Sequence, residues 1–465
     1  MKLNKIQFFL FVVLISFSFL LYGCGKTDTT ASLENSQNFI SSATETCNIY
    51  NIYYGDIHSH TAYSNDAYII QKLILGINPI GPYGAIQNAI SNGLDFVAIT
   101  DHAEQLDVKN NLYGRCNNEW IDTQLQVNAT NGEKIVTFIG WEYTKTAAVK
   151  DGSGKLVDVP GAGHKCVIFK DANVPPSPFG ATDTNGPNDL WNYLKGYDCI
   201  TIPHHSARGE APEAGASWDE YDMSTDWNYI PANPRIQPLV EIFSVHGSSD
   251  YSGCEDAVPG FRDERSVESA LMKWFDTQNP AYKLGIVGST DNHISQPGSC
   301  IEEIKDAVLP QEGDYTGGLI AVLAKEKNRD SIFEAMRAKR TYATSGPRIN
   351  LFFTAKIKGE EKEYVMGETI KLDKKGIVEL TIKAGPGKEN NSKIEKIVIT
   401  KATKSGVDRN TVIEGDRGNI QFTVNEPTYF RVTAYQSPTR RWDATNGTWV
   451  ITNERAWSSP IWIEL

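Results

Sequence analysis

The chain has 465 residues, too many for one typical domain, with 40% hydrophobic and 10% aromatic residues, enough for a substantial core. Its 57 acidic residues outnumber 45 basic ones, giving a formal charge of −12. An acidic chain without a basic cluster is a poor ligand for nucleic acid or anionic headgroups, and both partner classes are set aside.

MKLNK is a short basic start, IQFFLFVVLISFSFLL is an uncharged apolar run, and Gly23–Cys24 follow. That is the layout of an export signal. LYGC resembles a lipobox, in which the cysteine is acylated and becomes the new N-terminus. Residues 1–23 are therefore expected to be a lipoprotein signal peptide and 24–46 a polar tether. The protein would be exported and anchored to a bacterial cell envelope through Cys24; a secreted or periplasmic protein and an uncleaved anchor are the alternatives. Removing the signal takes away Lys2 and Lys5 and no acid, so the formal charge goes from −12 to −14. Cys47, Cys116, Cys166, Cys199, Cys254 and Cys300 remain. An exported chain permits disulfides, and Cys254 with Cys300 is one pairing suggested by their loop context. Cys166 and Cys199 lie in apolar runs as candidate buried thiols.

Short apolar runs then alternate with amphipathic stretches. IYYGDI precedes His58 and His60, FVAIT precedes Asp101 and His102, and IVTFIGW precedes Glu142. CITIP precedes His204 and His205, LVEIF precedes His246, and LGIVGST precedes Asp291 and His293. Each run has the length and continuous apolar character of a strand buried on both faces. Helices are expected over 83–93, 188–196, 265–276 and in RDSIFEAMRAKR, where Ser331 and Glu334 stand in the capping-box relation. Strands alternating with helices predict a parallel sheet, and the C-terminal ends of barrel strands are where catalytic residues gather. His164 is the exception, since it precedes its apolar run, KCVIF.

From about residue 350 the pattern changes to alternating strands separated by turn signals: INLFFTAKI, GIVELTIKA, KIEKIVITKA, IQFTV, TYFRVTAY and SPIWIEL. This predicts an antiparallel β-sandwich over 346–465, with no histidine and no ligand constellation. It would bind substrate, or pack against the rest of the chain. Trp442 and Trp457 are binding candidates there if they lie on the surface.

All eight histidines fall between residues 58 and 293, in or beside these strand-end motifs. On an extended segment, H-x-H and D-x-H each point both side chains one way. With Asp66 and Glu142 they predict a metal site. Mixed imidazole and carboxylate donors suit Zn²⁺, Mn²⁺ or Fe²⁺, and this many donors implies two or three ions sharing a bridging carboxylate, Glu142. The alternation argument places His204 and His205 on opposite sides, and favours His204 as the ligand. Arg208 and Arg348 are candidates for holding an anionic substrate. PGAGHK follows no strand and lacks a GK[ST], and Ser206 sits in no nucleophile elbow, so nucleotide-loop and serine-hydrolase chemistry are not indicated.

The ordered set HSH…D, TDH, GWE, IPHH, a histidine after VEI, and DNH resembles the polymerase and histidinol phosphatase (PHP) superfamily. Longer phrases, GDIHSHTAYSNDAY, DFVAITDHAE, HKCVIF and AWSSPIWI among them, resemble a secreted, uncharacterised branch of it. The resemblance spans about residues 50 to 465. It implies an α/β fold: a distorted (β/α)7 TIM-like barrel over 47–345, followed by the sandwich. It also implies a trinuclear site. His58, His60, Glu142 and Asp291 would bind one part of it, and Asp66, His102, Glu142, His204, His246 and His293 would complete it. Asp101 and His164 would orient groups or carry protons, and His205 stands where the branch often has asparagine. The expected reaction is phosphoester hydrolysis of a small anionic, phosphorylated substrate, with membrane contact only through the lipid anchor. Hydrolysis of a sulfate ester, phosphonate ester or amide, and non-catalytic metal or solute binding, are the alternatives.

Overall fold

The computed structural model describes residues 49–106, 118–145, 148–150, 156–181, 186–209, 222–299, 317–387, 392–443 and 448–465. The expected signal, the tether, Cys24, Cys47, Cys116 and Cys300 lie outside them. The fold is mixed α/β, dominated by strands and one large sheet. Among the described residues no helix is long and apolar enough to cross a membrane.

Three runs, β1 (Asn51–Asp56), β2 (Phe96–Ile99) and β3 (Val136–Tyr143), are buried on both faces and pair in parallel. Gly140 of β3 is required by close packing, since a Cβ there would come 2.6 Å from the Val167 carbonyl oxygen. After a short hairpin, β4 (Ala148–Lys150) and β5 (Leu156–Asp158), the chain returns as β6 (Lys165–Phe169), antiparallel to β3. β7 (Cys199–Pro203) is antiparallel to β6 in turn. The expected parallel sheet is therefore a mixed one. A parallel return needs a crossover, usually helical, and between β3 and β6 the chain makes a hairpin instead. An apolar run buried on both faces carries no mark of its direction.

Farther along, the chain turns back after β8 (Leu239–Ser244) so that the two-residue β9 (Gly247–Ser248) pairs antiparallel with its end, and β8 pairs in parallel with β10 (Gly285–Gly288). β8 lies beside β7, and β10 beside β11 (Leu319–Ala324) and β12 (Thr341–Thr344). β11 runs antiparallel to β1, Tyr53 opposite Val322. One face of these strands buries Phe138, Ile168, Ile200, Val287 and Ile320 together with Phe333 and Met336. The last two belong to the helix Arg329–Arg337. The other face packs Val97, Ile139, Trp141 and Val167 against helical residues such as Ile86, Trp120 and Leu190.

The helices are α1 (Asn65–Ile69, continued by a π turn at Ile70–Ile74), α2 (Pro82–Ser91), α3 (Glu119–Thr130), α4 (Pro187–Tyr193), α5 (Val267–Thr277) and α6 (Arg329–Arg337). α5 shows why they form. Val267, Ala270, Leu271, Trp274 and Phe275 repeat at helical spacing and are buried, Ser266 caps the Ser269 amide, and Gln278 stops the helix at φ 53°. The capping box expected at Ser331 lies one turn late. The Asn328 side chain caps α6 by accepting from the Ser331 amide at 2.8 Å, while Ser331 Oγ accepts from Lys325 and Glu326.

The C-terminal strands are antiparallel among themselves, apart from one parallel pair. β13 (Asn350–Ile357), β14 (Glu363–Val365), β16 (Gly376–Gly385) and β19 (Arg417–Val424) form a four-stranded sheet. The strands β15 (Thr369–Lys371), β17 (Ile394–Thr403), β18 (Gly406–Glu414), β20 (Thr428–Asp443), β21 (Thr448–Ser458) and β22 (Ile461–Glu464) belong to the large sheet. The exceptional parallel pair is β15 with β22. β21 pairs with β12, Tyr342 opposite Ser458, so a hydrogen-bonded ladder crosses the boundary expected at 345/346. One apolar cluster unites Phe353, Leu380 and Ile382 of the four-stranded sheet with Ile397, Val432 and Ile461. Trp457 is buried and stacks on Phe243 with ring centroids 5.5 Å apart, so it is not a surface binding residue. The Trp442 side chain lies outside what is described.

Candidate metal centre

The ladder beyond the strand ends builds the site. His60 N donates to Asn292 O and Asp291 N donates to His58 O, both at 2.9 Å, zipping the segment after β1 to the segment after β10. The H-x-H and D-x-H pairs thus face one another. Likewise Glu142 N donates to Asp101 O at 3.0 Å, and Ala103 N to Glu142 O at 2.8 Å.

Two carboxylates form the middle. Glu142 Oε2 lies 3.3 Å from His58 Nε2, 3.2 Å from His60 Nε2 and 3.3 Å from His102 Nδ1. Its Oε1 lies 2.9 Å from His164 Nδ1 and 3.2 Å from His204 Nε2. Asp291 Oδ1 lies 3.1 Å from His58 Nε2 and 3.3 Å from His60 Nε2, and its Oδ2 lies 3.0 Å from His246 Nε2. Asp66 Oδ2 completes the set, 2.9 Å from His102 Nε2 and 3.4 Å from His293 Nε2. Separations of about 3 Å are the edge lengths of a coordination shell with bonds near 2.1 Å. Sets of donor atoms lie within 4.8 Å of one another in overlapping groups that could hold metal ions: His58, His60, Glu142 and Asp291; His60, His102 and His293; His164, His204 and His205; His205, His246 and Asp291; His58, Cys166 and His204.

The far sides of several rings are held. His58 Nδ1 meets Glu241 Oε2 at 3.2 Å, His60 Nδ1 meets Ser64 Oγ at 3.1 Å, and His102 Nδ1 meets Thr144 Oγ1 at 2.8 Å. His293 Nδ1 meets the Asp291 carbonyl at 3.1 Å, and His204 Nδ1 meets Cys166 Sγ at 3.7 Å. Held far nitrogens are the usual companion of metal-binding imidazoles. Glu241, Ser64, Thr144 and Cys166 were not selected from sequence. Glu241 had a signal, an acid inside the otherwise apolar run LVEIF; the hydroxyls and the thiol had none.

Electrostatics follow from burial and neighbours. Burial works to raise the Glu142 carboxyl, and His102 and His204 outweigh it, holding the group well below the usual range. Asp291 is lowered in the same way against burial by His58 and His246, and Asp66 by His102 and His293. Burial pushes His102 down, but Glu142 and Asp66 prevail and raise it to about 10. His58 is likewise raised against burial, chiefly by Asp291. Burial and then His58 push His204 down to about 3; burial and then Arg208 push His246 down to about 4. Protonated imidazoles thus offset the buried carboxylates, and a divalent ion can replace those protons. The donor set fits such an ion: imidazole and carboxylate donors, buried except for the half-buried Asp66, with no lysine or arginine paired to Glu142, Asp291 or Asp66 among the ion pairs of the described residues.

The remaining candidates separate. His164 reaches Glu142 because β6 runs antiparallel, which puts its start at the end where β3 and β7 finish. His205 does not point away from His204; the ring centroids are 4.4 Å apart. Strand β7 ends at Pro203 and His205 has φ 33°, so alternation no longer governs it. Asp101 does not touch the histidines in the hydrogen bonds described. It accepts from Thr61 N and Oγ1 at 2.6 and 2.8 Å and from Ser64 Oγ at 2.8 Å, and Ser64 in turn holds His60. Arg208 is half-buried near His246, and Arg348 donates to the Asn92 carbonyl, just before β2 begins, at the opposite end of the strands. Cys166 and Cys199 are buried free thiols; Cys254 is a half-buried free thiol, with Cys300 outside the described residues.

A family model described as "Protein of unknown function (DUF3604)" matches residues 48–130, 108–266 and 301–381. The chain is 22% identical over 326 residues to an uncharacterised protein of Chlamydia trachomatis, covering 68% of this chain and 46% of that protein. It is 27% identical over 167 residues to an uncharacterised Chlamydia pneumoniae protein, covering 35% of this chain and 23% of that one. It thus spans less than half the length of these curated relatives. It is similar to a solved two-domain Bacteroides vulgatus protein described as containing a predicted PHP-like metal-dependent phosphoesterase, at 13% identity and TM-score 0.38, covering 87% of this chain and 95% of that one.

Proposed function

Because the chain belongs to the DUF3604 family, whose function is unknown, we propose from its own site that it is a metal-dependent hydrolase, most specifically a phosphoesterase with two or three divalent ions (Zn²⁺, Mn²⁺ or Fe²⁺). The observation that carries this is the pair Glu142 and Asp291, each shared by several histidines at about 3 Å, with two carboxylate oxygens facing different donor groups. His58, His60, Asp66, His102, Glu142, His164, His204, His246, Asp291 and His293 would hold the ions. When bound, such ions activate a water and neutralise the charge that develops in phosphoryl transfer.

The chain's own residues do the positioning. Glu241 fixes the ring of His58, and Thr144 that of His102. Asp101 fixes the turn at Thr61 and Ser64, which orients His60. Arg208, half-buried and near enough to His246 to depress it, would attract a small anionic substrate. We read β1–β3, β6–β8 and β10–β12 as a distorted PHP-like barrel over 47–345, with nine strands where the (β/α)7 pattern has seven, and the C-terminal strands as a sandwich over 346–465 that shares the large sheet. Export and anchorage through Cys24 belong to the same proposal, supported by the basic, apolar and small-residue order of the first residues.

The test is a metal count on the purified protein with phosphomonoester and phosphodiester assays on the same sample. Two or three transition-metal ions per chain, and turnover that disappears in a His58→Ala/His60→Ala variant, are expected. Metals without phosphoester turnover would move the assignment to another bond, and no metal after reconstitution would overturn it.

A further inference from the structure

His205 and His246 differ from their neighbours. Their Nδ1 atoms are buried without a hydrogen-bond partner among the described residues. No carboxylate or hydroxyl locks their far side as Glu241 locks His58. Their placement therefore depends on the backbone of the loops that carry them, residues 204–208 and 245–258. Those two loops are tied together where Ala207 N donates to Ser249 Oγ at 3.2 Å, and just past the second loop Arg262 N donates to Ala207 O at 2.9 Å.

What holds the second loop comes from the other end of the chain. Arg431 of β20, fully buried, is bonded to Asp250. Arg455 of β21 is bonded to the Asp256 carboxylate and donates to the Glu255 carbonyl at 3.1 Å. Arg409 of β18 is bonded to Glu268, and its guanidinium stacks 3.8 Å above the ring of Tyr251. Glu268 N donates to Asp250 O at 3.0 Å, so all three bridges meet on one segment, four to twenty-two residues beyond His246. We propose that Arg409, Arg431 and Arg455 are positioning residues: the C-terminal strands clasp the acidic segment after β9 and thereby fix the backbone on which His246, and through Ser249 also His205, is presented to the metal centre. A guanidinium suits this task because its planar fork fixes the direction of a carboxylate. The clasp assigns the C-terminal strands a part in the site, although they contribute no histidine to it.

The geometry does not need the metal-centre reading; only its catalytic consequence does. The experiment is hydrogen–deuterium exchange on the full chain, comparing Arg409→Gln and Arg455→Gln with Val432→Ala, a buried β20 substitution that lowers stability and leaves the bridges intact. Arg409 is a quarter exposed, so its variant is expected to fold if Arg455→Gln does not. Expected is a several-fold faster exchange in peptides 204–208 and 245–250 in the arginine variants, with peptide 56–62 unchanged, and neither effect in Val432→Ala. Phosphodiester turnover should fall in the arginine variants and recover only in part in Arg455→Lys, which keeps the charge and loses the planar fork. Faster exchange confined to the C-terminal strands, or the same pattern in Val432→Ala, would overturn the proposal. Exchange that changes as expected in a protein without phosphoester turnover would support the clasp and count against the phosphoesterase alone.

Discussion

Two regions of the molecule pair their acids in opposite ways. At the strand ends, Glu142, Asp291 and Asp66 are surrounded by imidazoles, with no arginine or lysine paired to them among the described residues. Against the C-terminal strands, Asp250, Asp256 and Glu268 each meet an arginine. A buried carboxylate needs a partner, because its desolvation is expensive. An arginine is permanent and closes the account. A histidine can surrender its proton, so a carboxylate matched by histidines can exchange protons for a metal ion. The same acids are structural where the cation is fixed and available for chemistry where it is exchangeable.

Removing one partner on each side should break the comparison most sharply. Glu142→Gln removes the carboxylate met by five histidines, and metal occupancy and turnover should fall by more than the about 10–100-fold typical of losing an outer partner. Elemental analysis with steady-state assays checks this; retained metal would place the ions elsewhere. Arg431→Met strands Asp250 as a buried charge and should cost about 3–5 kcal/mol of stability in denaturant titrations. Adding Asp250→Asn should recover part of that loss; no recovery would mean the pair is not the source.

Glu241→Gln sharpens the same contrast at smaller scale. The ring of His58 loses its carboxylate partner, so metal affinity should weaken about 10–100-fold in chelator competition while the fold persists. Protons supply the next test. His102, raised to about 10 in the metal-free protein, contributes stability present in full below its ordinary 6.5 and lost as pH rises through about 10. Metal must find it neutral, so loading near pH 8 should release protons, seen as buffer-dependent heats in titration calorimetry. Heats independent of buffer would show that His102 is already neutral.

How much of this was legible in the sequence depended on where chemistry interrupts pattern. Histidines following apolar runs located the centre, because buried runs and polar run-ends are both local features. Direction was not local: His164 looked out of place only because an apolar run does not say which way it points, and antiparallel β6 brings it in. Period-two reasoning failed at His205, where the strand had already ended and the backbone is left-handed. Glu241 was readable as an acid where the run should be apolar. The arginine bridges join residues up to 199 positions apart and left no trace in composition or spacing. The C-terminal strands were recognised by alternation, but β18, whose residues are nowhere fully buried, gave too little apolar signal, and pairing between β12 and β21 is a tertiary fact.

The two arginines singled out from sequence offer the finest test, because the structure puts them at opposite ends of the strands. Arg348 donates to the Asn92 carbonyl below β2, and its own carbonyl accepts from Tyr54 OH at 3.2 Å. Arg348→Ala leaves that carbonyl without its donor, a cost of about 1–3 kcal/mol in stability. Turnover should stay within about twofold, the scatter of substitutions outside a site. Arg208 sits close enough to His246 to depress it, so Arg208→Ala should raise KM for an anionic ester more than it lowers kcat. If Arg348→Ala raised KM instead, the substrate would have to reach the other end of the strands, and the contrast between a chemical end and a structural end would fail where it is easiest to measure.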